Sequence, residues 1–178
     1  MKNYILTNDP SMTAWGWAVV NTDEEIISSG CIKTRPEYKK KRIRKGDDTV
    51  RRVSEIVQEL LKIFRKYEIR LIVSELPHGS QNAQAAIMIG VVTGIMQTLS
   101  TTHNIPIEWF SEQDAKKSIF SKKSVTKKET IKAIDGMYDV IWTGTKYKDE
   151  AIADALAVYH VASLNSTSLQ ILNQRLLQ

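Results

Sequence analysis

Apolar positions change rhythm along this chain of 178 residues, dividing it into a strand-rich first third and a helix-rich remainder. Asn3–Thr7, Ala14–Val20 and Glu25–Ile32 are short, weakly alternating apolar runs. The polar clusters Asn8-Asp9-Pro10-Ser11 and Asn21-Thr22-Asp23 separate them, which predicts three strands in an antiparallel meander. Lys33–Lys45 has no apolar period and reads as a basic loop containing Pro36. Val53, Ile56, Val57, Leu60, Leu61 and Phe64 then recur at helical spacing, predicting a helix with one apolar face, capped by Asp48 or Thr49. Ile69–Ser74 reads as a fourth strand ending at Glu75, and Ile105–Phe110 as a fifth. Between them Asn82–Leu99 predicts a helix apolar over much of its circumference, a mark of burial or of a subunit contact. Lys122–Met137 predicts a short basic helix and Glu150–Ala162 an Ala-rich one. Three strands followed by alternating helices and strands indicate a mixed sheet with helices on its faces.

Charge sharpens this picture. The formal net charge is +5, but it is unevenly spread. Residues 33–52 hold ten basic against three acidic side chains, a net +7, and residues 116–132 hold seven lysines against Glu129, a net +6. The rest of the chain is therefore acidic, and two basic blocks on an acidic protein point to a polyanionic partner, most simply nucleic acid. Composition adds exclusions: 42% hydrophobic and 25% charged residues do not describe a collagen-like, disordered or disulfide-scaffold chain. The single cysteine, Cys31, fits a reducing cytoplasm. The longest apolar stretch, Ala85–Met96, is broken by Gly90, Thr93 and Gly94 and is too short to span a bilayer. The opening MKNYILTNDP lacks a signal peptide's apolar core.

Three carboxylates stand out by position. Asp9 ends the first strand, Glu75 ends the fourth, and Asp154 lies among small apolar residues in Asp149-Glu150-Ala151-Ile152-Ala153-Asp154-Ala155-Leu156-Ala157. Singly, Asp9 reads equally well as an Asx-turn, Glu75 as a strand-end surface residue and Glu150 as a first-turn helix acid. Asp154 is harder to explain so, because an acid on the packed face of an Ala-rich helix is expensive to bury unless paired or metal-bound. Glu150, four residues earlier, shares its face. If strands one and four are neighbours, Asp9 and Glu75 lie side by side beneath that helix. Such an oxygen-rich cluster suits hard divalent cations, Mg²⁺ or Mn²⁺.

These residues carry a resemblance. Asp9-Pro10-Ser11 with Ala14-Trp15-Gly16-Trp17, Ile72-Val73-Ser74-Glu75, the helix from Asn82 to Gly94 and Ala153-Asp154-Ala155-Leu156-Ala157 are similar, in order and spacing, to the motifs of RuvC-type Holliday-junction resolvases. The resemblance covers roughly residues 4 to 162 and is compatible with a bacteriophage member. It implies a single RNase H-like α/β domain over 1–178: a mixed five-stranded sheet, three antiparallel strands then parallel ones, with helices on both faces. It implies a homodimeric endonuclease that uses Mg²⁺, with Mn²⁺ able to substitute, two ions per site, to nick four-way junctions or other branched DNA, leaving 5′-phosphate and 3′-hydroxyl ends. Carried over, Asp9, Glu75 and Asp154 are metal ligands. The family's fourth ligand falls at Ala151; Glu150 is the expected substitute, with Asp149 directed elsewhere unless the helix begins after Glu150. Ser11 stands where the family has Gly.

The DNA-binding candidates are Lys39, Lys40, Lys41, Arg42, Arg44 and Lys45 in the basic loop, and Lys116, Lys117, Lys122, Lys123, Lys127 and Lys128 in the second block, all suited to phosphate contacts. Lys127 or Lys128 matches a family lysine. Phe120 reads as a stacking residue or a core residue; His78 as a neighbour of the site; His160 and the four tryptophans as structural; Leu169, Leu172 and Leu176 as a cover for the core or for a partner subunit. Two readings compete with the nuclease: a non-catalytic branched-DNA-binding protein, whose signature would be loss of a main acid, and an RNase H-like ribonuclease.

Overall fold

The structure is a computed structural model that describes residues 3–120 and 125–174. Five strands, β1 (Tyr4–Asp9), β2 (Ala14–Asn21), β3 (Ile26–Lys33), β4 (Ile69–Leu76) and β5 (Ile107–Ser111), form one sheet in the order β3-β2-β1-β4-β5. The β1–β2 and β2–β3 pairs are antiparallel, whereas β4 is parallel to β1 and β5 parallel to β4. β1, β3, β4 and β5 therefore run in one direction and deliver their carboxyl ends to one edge of the sheet.

Alternation along the strands sorts side chains between two layers. Leu6, Trp15, Val19 and Ile72 face a core closed by α2 (Lys45–Lys66) and α3 (Ala83–His103), with Ile56, Leu60, Ile95 and Met96 opposite them. Ile5, Ala18, Leu71 and Val73 face the other layer, built from α4 (Glu112–Ile119), α5 (Lys127–Asp135), α6 (Lys146–Asn165) and α7 (Thr167–Gln174).

Several elements differ from the pattern-based expectation. The loop 33–45 contains a one-turn helix, α1 (Tyr38–Lys41), and α2 begins at Lys45, well ahead of its first apolar position. Polar contacts hold that early segment: buried Arg52 donates to the Met12 carbonyl (2.6 Å) and to Thr34 Oγ1 (2.8 Å). Asp48, expected as a cap, is instead buried inside the helix, accepting from the Glu37 N–H and from Arg51. The second basic block is split between α4, which has no apolar stripe beyond Ala115 and Ile119, and α5; Lys122 and Lys123 lie outside the described residues. α3 runs 21 residues, beyond the apolar stretch Ala85–Met96, and is long and apolar enough, by length and composition, to cross a membrane. Its Val92, Ile95, Met96 and Leu99 enter the core, while Ala83, Ala86, Ile87, Gly90 and Gly94 are exposed. Leu169 is buried and Leu172 packs against the same core, with Leu176 outside the described residues.

Candidate active site

The site begins with strand alternation. Ile5, Thr7 and Asp9 on β1, and Leu71, Val73 and Glu75 on β4, face the α6 layer. The parallel register pairs Thr7 with Val73 and Asn8 with Ser74, so Asp9 and Glu75 are the next neighbours along the two strands. On β5, Phe110 pairs with Glu75, and Glu112 follows two residues on, at the first position of α4.

Helix α6 crosses above this edge at close range. Thr7 Oγ1 donates to the Ala155 carbonyl at 2.5 Å. Gly16, paired with Asp9 across the sheet, lies under the Ala151 carbonyl; a Cβ there would stand 1.9 Å from that oxygen. Only glycine admits the helix at this height. The seat brings Asp154, whose side chain is 13% exposed, over the strand ends. Ser11 replaces a family glycine without strain: its Oγ accepts from the Thr13 N–H (3.2 Å) and the Ala14 N–H (3.4 Å), and its φ is not in the left-handed region.

The electrostatics follow from this convergence. Burial raises Asp9 well above the usual carboxylate range, reinforced by Glu75 and Asp154 and, more weakly, by Glu112. Burial also raises Glu75, to about 7, with Glu112 and Asp154 adding to it. Asp154 is raised by burial too, opposed by Lys127. Lys127, the first residue of α5, pairs with the Asp154 carboxylate. Although desolvation works against it, Asp154, Asp9 and Glu112 hold its ammonium above its normal pKa. A capping box, with Thr126 and Glu129 exchanging bonds, fixes the helix start that aims Lys127 at the site. A small cleft beside these groups is lined by Glu75, Glu112, Lys116, Phe120, Thr130 and Asp154.

The structure thus brings Asp9, Glu75, Asp154 and Lys127 together. Glu150, one turn ahead of Asp154 on α6, is one-quarter exposed and has Lys146 at 4.0 Å. α6 starts at Lys146, ahead of both acids, so Asp149 does not fold back. Its carboxylate accepts from the Thr143 N–H (2.8 Å) and Oγ1 (2.7 Å), holding the turn before the helix. Glu112 does not stand out in the sequence because the apolar run of the fifth strand ends at Phe110 and the next residues show no helical stripe. The available signal is positional: each of three adjacent parallel strands has an acid at or next to its carboxyl end.

The basic residues divide. Lys116 lines the cleft, pairing with Glu112, while Lys117, about 100° further round α4, lines a separate hollow beside Phe110 and Val161. Lys128 is exposed. In the first block, Lys41 pairs with Glu37 and Arg44 with Asp47, while Lys45 donates to Gln84 at the start of α3. Lys39, Lys40 and Arg42 are exposed. This segment leaves β3 at the same sheet edge as Asp9. Phe120 borders the cleft, and His78 is exposed on the loop after β4. His160 accepts or donates at Nδ1 with the Tyr138 hydroxyl (3.0 Å), a structural role. Trp15 is fully buried, its Nε1 donating to Asn8 Oδ1 at 3.1 Å. A larger cavity, about 610 Å³, lies between α2 and β2–β3, lined by Trp17, Gly30, Lys62 and Tyr67; it is on the opposite face from the acids.

As they stand, no three acidic, histidine or cysteine side chains among the described residues are drawn tightly enough to form a ready-made metal cage. The donor set nevertheless fits a hard divalent cation: all-oxygen, largely buried, and mutually repelling when ionised. Residues 5–161 match the family model for the crossover junction endodeoxyribonuclease RuvC. The chain belongs to the RuvC family. A RuvC from Ehrlichia chaffeensis is 26% identical over 154 residues, covering 85% of this chain and 93% of the relative. One from Chlorobium phaeobacteroides is 24% identical, covering 86% and 78%. The fold matches the Thermus thermophilus RuvC solved in complex with a Holliday junction substrate, with a TM-score of 0.71 at 16% identity over 90% of this chain and 92% of that one. It also matches the yeast mitochondrial Holliday junction resolvase Ydc2, with a TM-score of 0.60 at 10% identity over 96% and 81%. RuvC family members are divalent-metal-dependent nucleases. The RNase H-like architecture expected from the resemblance, a mixed five-stranded sheet with three antiparallel strands then parallel ones, is the one observed.

Proposed function

We propose that this chain resolves four-way junctions or related branched DNA by hydrolysing phosphodiesters at the edge formed by Asp9, Glu75 and Asp154. The observation that carries the reading is the seating of α6 on Gly16 and Thr7, which sets Asp154 and its partner Lys127 over two strand-end acids in a RuvC-family fold. Asp9, Glu75 and Asp154 are the residues that would hold divalent metal, Mg²⁺ with Mn²⁺ as substitute and two ions per site. When bound, that metal supplies an activated water and charge stabilisation for the leaving oxygen. The chain's own contribution is orientation and charge. The three carboxylates are fixed by strand register and by the helix seat. Lys127 and Lys116 offer cations beside them for an incoming phosphate, and the segment 39–45 extends positive charge along the same edge.

The products carry 5′-phosphate and 3′-hydroxyl ends. The exposed small-residue face of α3, from Ala83 through Ile87 and Gly90 to Gly94, supports pairing of two copies, which would present two sites to two strands of a junction. With Cys31 the single cysteine, the enzyme is assigned to a reducing cytoplasm. A cleavage panel tests the reading. Four-way junction cleaved in Mg²⁺ by paired nicks, in preference to linear duplex and RNA–DNA hybrid, is the expected result. Preferential cutting of the hybrid would favour an RNase H-like ribonuclease, and tight junction binding without cutting would mark a non-catalytic binder.

A further inference from the structure

Glu112 takes no part in the hydrolysis proposed above, yet it stands where the sheet collects acids. β1, β4 and β5 are parallel neighbours, and Asp9, Glu75 and Glu112 mark their carboxyl ends on the α6 side of the sheet. Glu112, Glu75 and Asp154 line one cleft. We propose that Glu112 is the fourth carboxylate of the metal centre, binding divalent cation together with Glu75 and Asp154, in place of any acid near the start of α6. The assignment rests on the proposed metal-dependent function and names a ligand that the family motifs of this chain did not identify.

Three observations carry it. The two acids at the start of α6 have partners of their own: Asp149 is tied to Thr143, and Glu150, one-quarter exposed, has Lys146 at 4.0 Å. The formal charge of the cluster is also informative. Asp9, Glu75, Glu112 and Asp154 face Lys116 and Lys127, which leaves two formal negative charges uncompensated and makes the cluster attractive to cations. Finally, the Glu112 carboxylate is held by Lys116 one helical turn away, with the two side chains 41% and 28% exposed. An ion pair of this exposed i,i+4 kind is weak, so the carboxylate exchanges its lysine for a metal readily. A first-turn glutamate serving only the helix dipole needs no such position, because the Ser111 side chain already caps α4 by accepting from the Asp114 N–H.

The test is Mn²⁺ binding to the full-length protein without DNA, by calorimetry, for wild type, Glu112→Gln, Glu150→Gln and Lys116→Met, with folding checked by circular dichroism. Glu112→Gln is expected to weaken Mn²⁺ binding by about 10–100-fold, a span typical for disturbing a metal centre. Lys116→Met should leave it unchanged or tighten it, and Glu150→Gln should leave it unchanged. Wild-type affinity in Glu112→Gln overturns the proposal, as does a loss that follows Glu150. An equal loss in Lys116→Met also overturns it, since Glu112 would then act only through its lysine. A wild-type protein that binds Mn²⁺ through Glu112 but cuts no branched DNA would sink the proposed function and leave this assignment standing.

Discussion

The two faces of the sheet are packed by opposite rules. On the α2–α3 side, Leu6, Trp15, Val19 and Ile72 meet Ile56, Leu60 and Met96, so the helices stand off by the thickness of large side chains. On the α6 side, Gly16 and Thr7 meet the backbone at Ala151 and Ala155, so the helix rests almost on the strands. The first face buries apolar area and positions nothing chemical. The second gives up side-chain volume and brings a helical acid within range of strand-end acids. Large residues stabilise the fold, and small ones set the distance at which the chemistry happens.

One pair of variants breaks this comparison if it is wrong. Gly16→Ala drives a methyl into the Ala151 carbonyl and must lift α6. Overpacking of this kind costs about 1–3 kcal/mol, and a displacement near 1 Å at a catalytic group lowers turnover by roughly 100-fold. Leu60→Ala, on the opposite face, should cost more stability, about 2–5 kcal/mol, yet leave cleavage near wild type at a temperature where both variants are folded. Thermal melts with single-turnover junction cleavage measure both. Equal loss of cleavage in the two would show that the α6 seat has no special role.

A smaller effect concerns the DNA surface. Neutralising Lys39, Lys40, Lys41 and Arg42 together should weaken junction binding and flatten the dependence of log K on log salt by about 0.9 for each phosphate no longer neutralised. An unchanged slope would place the segment away from DNA, despite its exit from β3 at the catalytic edge.

The smallest effect is on the metal-free protein. Burial and neighbouring carboxylates hold Glu75 at about 7 in the fold, above its unfolded value, so the folded state retains a proton that the unfolded chain releases. Its contribution is fully present below the unfolded pKa and is lost as pH rises through about 7. In EDTA, Tm should therefore fall between about pH 5 and pH 7.5, and Glu75→Gln should flatten that decline. A wild-type Tm that rises across the window would contradict the clustering of acids.

Much of this arrangement was legible in the sequence. β1 and β4 declared themselves by apolar runs ending at turn residues, and Asp9 and Glu75 by standing at those ends. Asp154 declared itself as an acid among alanines. Alternation and helical periodicity report only where apolar side chains go, however. The start of α2 is held by Arg52 and Asp48 through polar contacts, so no apolar period marked it. α4 offers the core little beyond Ala115 and Ile119, so its start at Glu112 was invisible too. Choosing between Lys127 and Lys128 required the direction of a helix whose first turn is set by the Thr126–Glu129 capping box. Glu150 satisfied the facial criterion, within roughly 40° of Asp154, but the cleft lies toward β4 and β5, where Glu112 stands.

The central claim is that acids on the α6 face hold the metal while basic residues, beside them and along the same edge, hold the DNA. Asp9→Asn and Asp154→Asn separate these roles most directly, measured as single-turnover cleavage of a four-way junction in Mg²⁺ beside junction affinity in EDTA. Cleavage is expected to fall by about 1,000-fold or more, the scale of removing a main element of transition-state charge stabilisation, while junction affinity is unchanged or improves as negative charge leaves the surface. Near-normal turnover in either variant, or a loss of binding as large as the loss of cleavage, would contradict it.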